Sequence, residues 1–570
     1  MEKRPQGNDQ NIGDGYGLLP LDGTFFDSLQ GLTGDKALEK VLNHPDSARL
    51  IRTMSSEDYF WLIKKVGADR SLELLKLASQ DQWQYLFDVD SWQKDRLELN
   101  RTGQWMQQLL TADPERLIKW FISDQEGLLY YYLYRSIVVE VKNEDEEMFE
   151  AGPEFFTIDG FFYIRPMQED QRETIEALLR TIVQEDPLKY QGLLTGLAGV
   201  LPAELEEDMY RMRNVRLAEH GFLPREEAIA VYAPLNPKSL KMDQPDAADG
   251  PVPGLKDSGP VPRWPLQTIQ GRDLLTKTIS NLSDVKLLDR IRLEFAGLCN
   301  QIASAEGFMD WNMDNLKEIQ VQAAGYLNMI LKKQCHEDVK IAETLLRMNS
   351  LISLFRAGFG LAVDLKWKAE RWLKESWFHG KGLEASFWGQ EWGRTLSGIL
   401  NKRPLYYCGD ESPNGFRHFR TLSDLASASE TLDLLERLDL LMAELTRQHP
   451  LNLPDSKHFD LTFFQLLFTL WARQILDLKP SIEAITLKQA KAFLKLLRAG
   501  DTKPPFRMFG FEERFLKVFE MPDSDPAGNN SKNLKNALAR TWQDFSDEME
   551  SIPTNELEAK YSQYILITAD

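Results

Sequence analysis

The sequence predicts a mainly α protein with three parts. These are an N-terminal α-superhelix of short capped helices, a small β hairpin or sheet insertion near 137–165, and a helical C-terminal part. Three observations carry this prediction. Helix-start residue types recur at steps of 12 and 24 between Asn43 and Ser91. Asp159-Gly160 stands between two aromatic runs. Beyond residue 266, apolar residues recur at helical spacing, as in Leu435, Leu438, Met442 and Leu445.

Length and composition set the bounds. A chain of 570 residues with 43% hydrophobic and 27% charged residues has the composition of a soluble globular protein. It is long enough for about two to four domains. A net charge of -20 argues against general affinity for nucleic acid or anionic lipid. Cys299, Cys335 and Cys408 are widely spaced and form no disulfide framework, which suits a reducing compartment. The opening MEKRPQGNDQNIGDGYG has no apolar core of a signal peptide, and residues 1–35 read as a partly disordered tail. The longest apolar run, Leu461 to Ala472, is too short for a membrane span and reads as a buried helix. The expected location is the cytoplasm.

Residues 36–136 carry the repeat. Asn43, Ser55, Gly67, Ser79 and Ser91 lie 12 apart, and all are types accepted at a helix N-cap. Ser55 with Asp58, and Ser79 with Gln82, form capping boxes. Seven and eight residues after the starts come Leu50-Ile51, Leu62-Ile63, Leu74-Leu75, Leu86-Phe87 and Glu98-Leu99, apolar at every position but Glu98. Helices this short are marginal alone in water, so they must stack. The cadence loosens but continues through Asp113-Pro114 and Ser123-Asp124 to Arg135.

The stretch NHPDSARLIRTMSSEDYFWLIKKVG resembles the superhelical N domain of MgtE-type magnesium transporters and the middle domain of the flagellar switch protein FliG. In those families such a module regulates or assembles, so the resemblance implies a docking role. It carries over no metal ligand. The whole chain, including LPAELEEDMYRMRNVRLAEHGFLPREEAIAVYAPLNP, resembles a bacterial family of unknown function.

Ile137 to Val141 reads as a strand, and Asp159-Gly160 as a hairpin turn within FFTIDGFFYIRP. Residues up to 233 then read as helices, with Leu178, Leu179, Ile182 and Val183 on one face. Residues 234–265 are rich in proline and glycine and read as a linker or loop. Residues 266–570 form the helical C-terminal domain. There, Ala357, Gly358, Gly360 and Ala362 give one helix a face that another segment can approach closely.

Chemistry is weakly signalled. Cys408, Asp410, His418 and Arg420 gather on a loop, without the spacing of a nucleophile–base or metal motif. Cys335-His336-Glu337 are helical neighbours that diverge around the axis. Trp367, Trp372, Trp377, Trp388 and Trp392 alternate with Lys366, Lys368, Arg371 and Lys374. That pattern can hold a nucleic acid strand, although tryptophans more often anchor cores. No phosphate-loop, dinucleotide or zinc motif occurs, and the reading includes no cofactor and no metal. The expected function is a non-catalytic scaffold docking a protein partner through residues 36–136, with Trp120, Tyr130, Tyr131 and Tyr134 as contact residues. The alternatives are an enzyme with a site near Cys408–Arg420, or nucleic-acid binding through Trp367–Trp392.

Overall fold

The computed structural model describes residues 23–142, 152–199, 204–242, 260–267, 271, 273–307, 312–449, 461–498, 504–519, 529–558 and 563–568. The fold is mainly α, with only small sheets. The chain divides into two compact units. The first holds residues up to Tyr232, Lys241–Ala324 and Asp338–Ile352; the second holds Ala233–Leu240, Gly325–Glu337 and everything from Ser353.

In the first unit the periodic segment alternates short and long helices. Short helices Ser47–Arg52 and Leu72–Leu77 pack on one another. Long helices Ser56–Val66 and Gln80–Asp90, which begin 24 residues apart (56 to 80), do the same. The true repeat is therefore 24, a short helix plus a long one, and the 12-residue register needs correcting. Ser55 and Ser79 are N-caps. Asn43 and Ser91 instead close helices, while Gly67 closes helix Ser56–Val66 and also caps the start of the 3-10 turn Ala68–Arg70. Asn and Gly serve at either end of a helix, so their type alone does not say which. Gly67 takes φ 93°, a conformation that favours glycine. Glu98 breaks the apolar pattern because a hairpin, Trp92–Gln93 with Arg96–Leu97, intervenes. Glu98 is itself the cap of helix Leu99–Ala112.

The paired apolar positions from Leu50 to Phe87 are all core residues. Helices Pro114–Asp124 and Glu126–Ser136 continue the stack. The core does not stop at residue 136. It runs on through Ile175, Leu178, Tyr190, Leu217, Phe222 and Trp264. Residues 23–35, expected in the tail, include helix Gly23–Gln30, which buries Phe26 and Leu29.

The β insertion is a three-stranded antiparallel sheet. Phe162–Pro166 lies centrally between Ile137–Val141 and Phe156–Thr157. Asp159 Oδ1 accepts the N–H groups of Phe161 and Phe162, and Gly160 takes φ 73°. The acidic run at 143–151 lies outside the described residues.

Both described ends of the proline-rich segment are packed. Leu235 N–H donates to Arg356 O at 3.1 Å in the second unit. Trp264 and Leu266 are buried in the first. Residues 243–259 lie outside the described residues.

In the second unit, helix Leu422–Gln448 buries Leu435, Leu438, Met442 and Leu445, so its heptad-like face is core. Helix Phe463–Ile475 opens on a Thr462–Gln465 capping box and buries the apolar run. Phe468 stacks on Phe545 at 4.1 Å, and Trp471 meets Phe493 and Trp542 edge-on.

Candidate functional site

Helix Leu205–Glu219 fully buries only Leu217 of its own residues, while Leu205, Met209 and Tyr210 pack partly buried against the core. Charge adds to that hold. Arg213 Nε donates to Asp88 O at 2.6 Å. Arg216 forks onto the Asp88 carboxylate at 2.7 and 2.8 Å. At the helix end, His220 Nδ1 lies 2.7 Å from Glu57 Oε1. The imidazole meets Tyr85 edge-on at 4.7 Å, and Asn300 Nδ2 donates to His220 O at 2.8 Å. Arg213, Arg216 and His220 fall at i, i+3 and i+7, one stripe on a helix.

Beside these pairs lies a cleft of about 530 Å³, within the range of ligand sites. Helices Ser56–Val66 and Gln80–Asp90 form one wall, and the end of helix Leu205–Glu219 forms another. Ser55, Ser56, Ser79 and Gln84 line the cleft beside the ionic pairs, with Met54, Leu217 and Leu293. Arg52 and Asp81 stand exposed on its rim.

Glu57, Asp58 and Asp88 are all buried carboxylates. Ser55 caps its helix as expected, accepting Asp58 N–H at 3.1 Å. Asp58 does not close the box. Its carboxylate instead accepts the N–H groups of Arg263, at 2.8 Å, and Trp264, at 2.9 Å. Burial pushes the Asp58 pKa up to about 7, against the lowering effect of those two bonds. Burial likewise raises Asp88, although Arg216 opposes the shift. For His220, burial is the largest single influence and lowers its pKa. The hydrogen bond and charge of Glu57, with Glu219 and Asp88, outweigh it, and the net shift is upward. Tyr85 is held far above its usual range by burial and by the two neighbouring carboxylates. Of these shifted groups Tyr85, Asp88 and His220 line the cleft, and such groups at a cleft mark a candidate site on physical grounds. The chemistry available is a proton held or released at His220, whose Nδ1 is paired with Glu57, together with polar contacts to an occupant.

The residues singled out in the sequence lie elsewhere. Trp120 and Tyr131 are core residues, not surface contacts. Trp120 packs against Phe121, Phe87 and Trp83. Tyr130 and Tyr134 are half-buried, and Tyr130 donates to Gly196 O at 2.7 Å.

In the second unit, Tyr406–Tyr407 pairs with Phe416–Arg417. Cys408 N–H donates to Gly415 O at 2.9 Å, while His418 packs against Tyr326. Among the described residues no contact joins Cys408 to His418. Burial, with Arg403 and Arg420, pushes the His418 pKa down to about 4, so the ring stays neutral. Asp410 and Arg420 are exposed. Arg417 forks onto Asp424 at 2.7 and 3.2 Å, fastening the hairpin to helix Leu422–Gln448.

Trp388 and Trp392 are buried against Phe463. Lys366 donates to Asn401 O, and Lys368 pairs with Asp433. Cys335 is buried and ends its helix. Among the described residues, no three His, Cys, Asp or Glu side chains gather as a metal-holding group. No described helix is long and apolar enough to cross a membrane.

Sequence reasoning missed Glu57, Asp58, Asp88, Arg216 and His220. Two signals were available. Asp58 stands four residues before the core Leu62, an acid on an inward face. The Arg213–Arg216–His220 stripe is legible in RNVRLAEH.

No curated protein and no solved structure matches the chain. The likeness of residues 36–136 to the transporter and flagellar modules thus rests on sequence pattern alone. A family model, described as a family of unknown function (DUF6178), matches residues 22–568, nearly the whole length, and the chain belongs to that family.

Proposed function

We propose that the protein is a non-catalytic interaction protein that docks a polar segment of a protein partner, and that the docking surface is the cleft beside helix Leu205–Glu219. One observation supports this reading. The ionic groups of the cleft are matched with each other, Glu57 with His220 and Asp88 with Arg216, so its walls are preorganised. The exposed rim charges Arg52 and Asp81 are placed to meet a partner. The MgtE-like and FliG-like pattern points the same way. Cytoplasmic location belongs to this reading.

The test uses the intact chain, because residues 36–136 share one core with the later helices of the first unit and a cut at Ile137 would expose it. Crosslinking and mass spectrometry in the native cell would compare the parent with Arg52→Glu/Asp81→Arg. A control would carry Glu430→Arg, an exposed position in the second unit. A partner lost with the rim variant and kept with the control supports docking here. Identical partner sets from all three would sink it.

A second reading, an enzyme, has one observation in its favour: the His220 imidazole, hydrogen-bonded to Glu57, opens on a cleft. It requires proton transfer to a substrate, and loss of turnover in Glu57→Gln would be its mark.

A further inference from the structure

A second cleft in the first unit, of about 550 Å³, has a different character. Its apolar lining combines three aromatic residues with Val89, Leu217, Leu223 and Ala303. Trp92 and Tyr210 lie 5.8 Å apart at a tilt of 44°, and Phe222 completes the surface. Arg213 lies over both rings, 5.6 Å from Trp92 and 5.9 Å from Tyr210. Its Nε and Nη1 are engaged, by Asp88 O and Asn214 Oδ1, while its Nη2 donates to no described residue. Lys94 and Arg225 also line the cleft. Neither has an ion-pair partner among the described residues, although Asp95 and Glu226 stand at the same cleft. Three cations with no ion-paired carboxylate among the described residues thus share one concavity in a chain of net charge -20.

The backbone adds a second observation. Lys94 takes φ 58°, the first of two loop residues in the hairpin that pairs Gln93 with Arg96. Glycine is the usual residue at such a position, since a side chain strains the left-handed conformation. Strained positions concentrate at functional sites. Here the strained residue is a lysine at the lip of the cleft.

We infer that this cleft binds a small organic anion with a planar aromatic body, the ring seated against Trp92, Tyr210 and Phe222 and the anionic head met by Arg213, Lys94 and Arg225. Guanidinium groups suit carboxylate and phosphate oxygens because their N–H groups are presented as a planar fork. The aromatic surface selects a flat apolar body over a bare ion. The inference is independent of the docking cleft, which is lined by other residues except Leu217.

Calorimetric titration of the full chain tests it with three probes: phenyl phosphate, phenol and inorganic phosphate. Phenyl phosphate is expected to bind at least tenfold more tightly than either of the others, which carry only the ring or only the charge. Lys94→Gly/Arg225→Gln should weaken phenyl phosphate at least tenfold and leave phenol unchanged. That variant should melt no lower than the parent, because glycine relieves the strain at position 94 and position 225 is exposed. Glu226→Gln, which removes a competing carboxylate, should tighten phenyl phosphate severalfold. Equal affinity for the three probes, or unchanged phenyl phosphate binding in the double variant, would overturn the inference.

Discussion

His220 Nδ1 and Glu57 Oε1 lie 2.7 Å apart, and through them the end of helix Leu205–Glu219 is tied to helix Ser56–Val66. The residues are 163 positions apart in sequence, so the bond closes a long stretch of chain onto the helical array.

This pair makes stability depend on pH. The folded pKa of His220 is raised, so its contribution is complete below the unfolded value of about 6.5 and is lost as pH rises through the folded value. Asp58 acts in the same direction. Its folded pKa of about 7 lies above the ordinary 3.8, so the folded state favours the proton and stability falls as pH rises between the two. The groups facing His220 are Glu57, Tyr85, Asp88 and Glu219. The urea midpoint of the first unit should therefore fall as pH rises from about 4 to 7, the range set by Asp58, and go on falling above about 6.5 as His220 loses its proton. In Glu57→Gln, burial dominates His220, its pKa drops, and the fall becomes shallower. An unchanged pH slope in that variant, with the His220 shift followed by NMR, would refute the assignment.

Asp88 and Arg216 give a second expectation. Arg216→Met removes both arms of the fork and leaves a buried carboxylate without its main partner. Breaking a buried pair costs about 3–5 kcal/mol. Arg216 is partly exposed, so about 2–3 kcal/mol is expected. Adding Asp88→Leu should recover much of the loss, since the uncompensated charge goes with it. Denaturant unfolding of the three variants measures this, and two independent, additive losses would contradict it.

Two helical glycines should respond oppositely to alanine. At Gly358 an added Cβ would land on the Tyr326 carbonyl, within the second unit. The clash should outweigh the roughly 1 kcal/mol gained in helix propensity and leave a net loss of about 1–3 kcal/mol. At Gly192, on an exposed face of helix Pro187–Leu197, nothing lies within 4 Å of the new atom. That substitution should stabilise by up to about 1 kcal/mol. Thermal melts of the two variants check both signs.

The parts legible in the sequence were those fixed by local chemistry. Ser55, Ser79 and the Leu50 to Phe87 pairs show their roles through spacing alone, as does the Asp159-Gly160 turn. The period was misread because Asn43, Gly67 and Ser91 are residue types found at both helix ends. The site was missed for a related reason. Glu57 and Asp58 look like ordinary first-turn acids, favoured there by the helix dipole. Only the return of the chain at His220 and Arg263, far along the sequence, gives them their partners. Trp120 and Tyr131 mislead in the opposite sense: Trp120 is buried among Trp83, Phe87 and Phe121 of the array itself, and the helix that carries Tyr131 is covered by helix Leu205–Glu219.

The last prediction concerns Asp58 as a clasp. Its carboxylate takes the N–H groups of Arg263 and Trp264, and the Trp264 indole is buried with its Nε1 3.3 Å from Phe26 O. The Arg263–Trp264 peptide bond should therefore resist trypsin, although it closely follows the proline- and glycine-rich segment, where sequence alone predicts easy cleavage. Asp58→Ala removes the acceptor and leaves two backbone donors without partners, at a cost of about 1–3 kcal/mol each. Local opening should then precede global unfolding. Under native conditions the variant should be cut after Arg263 at least tenfold faster than the parent, while its overall melt shifts by only a few degrees. Mass spectrometry of early fragments reads the cleavage position directly. Equal rates at Arg263 in parent and variant would show that burial of Trp264, not Asp58, holds this segment to the array.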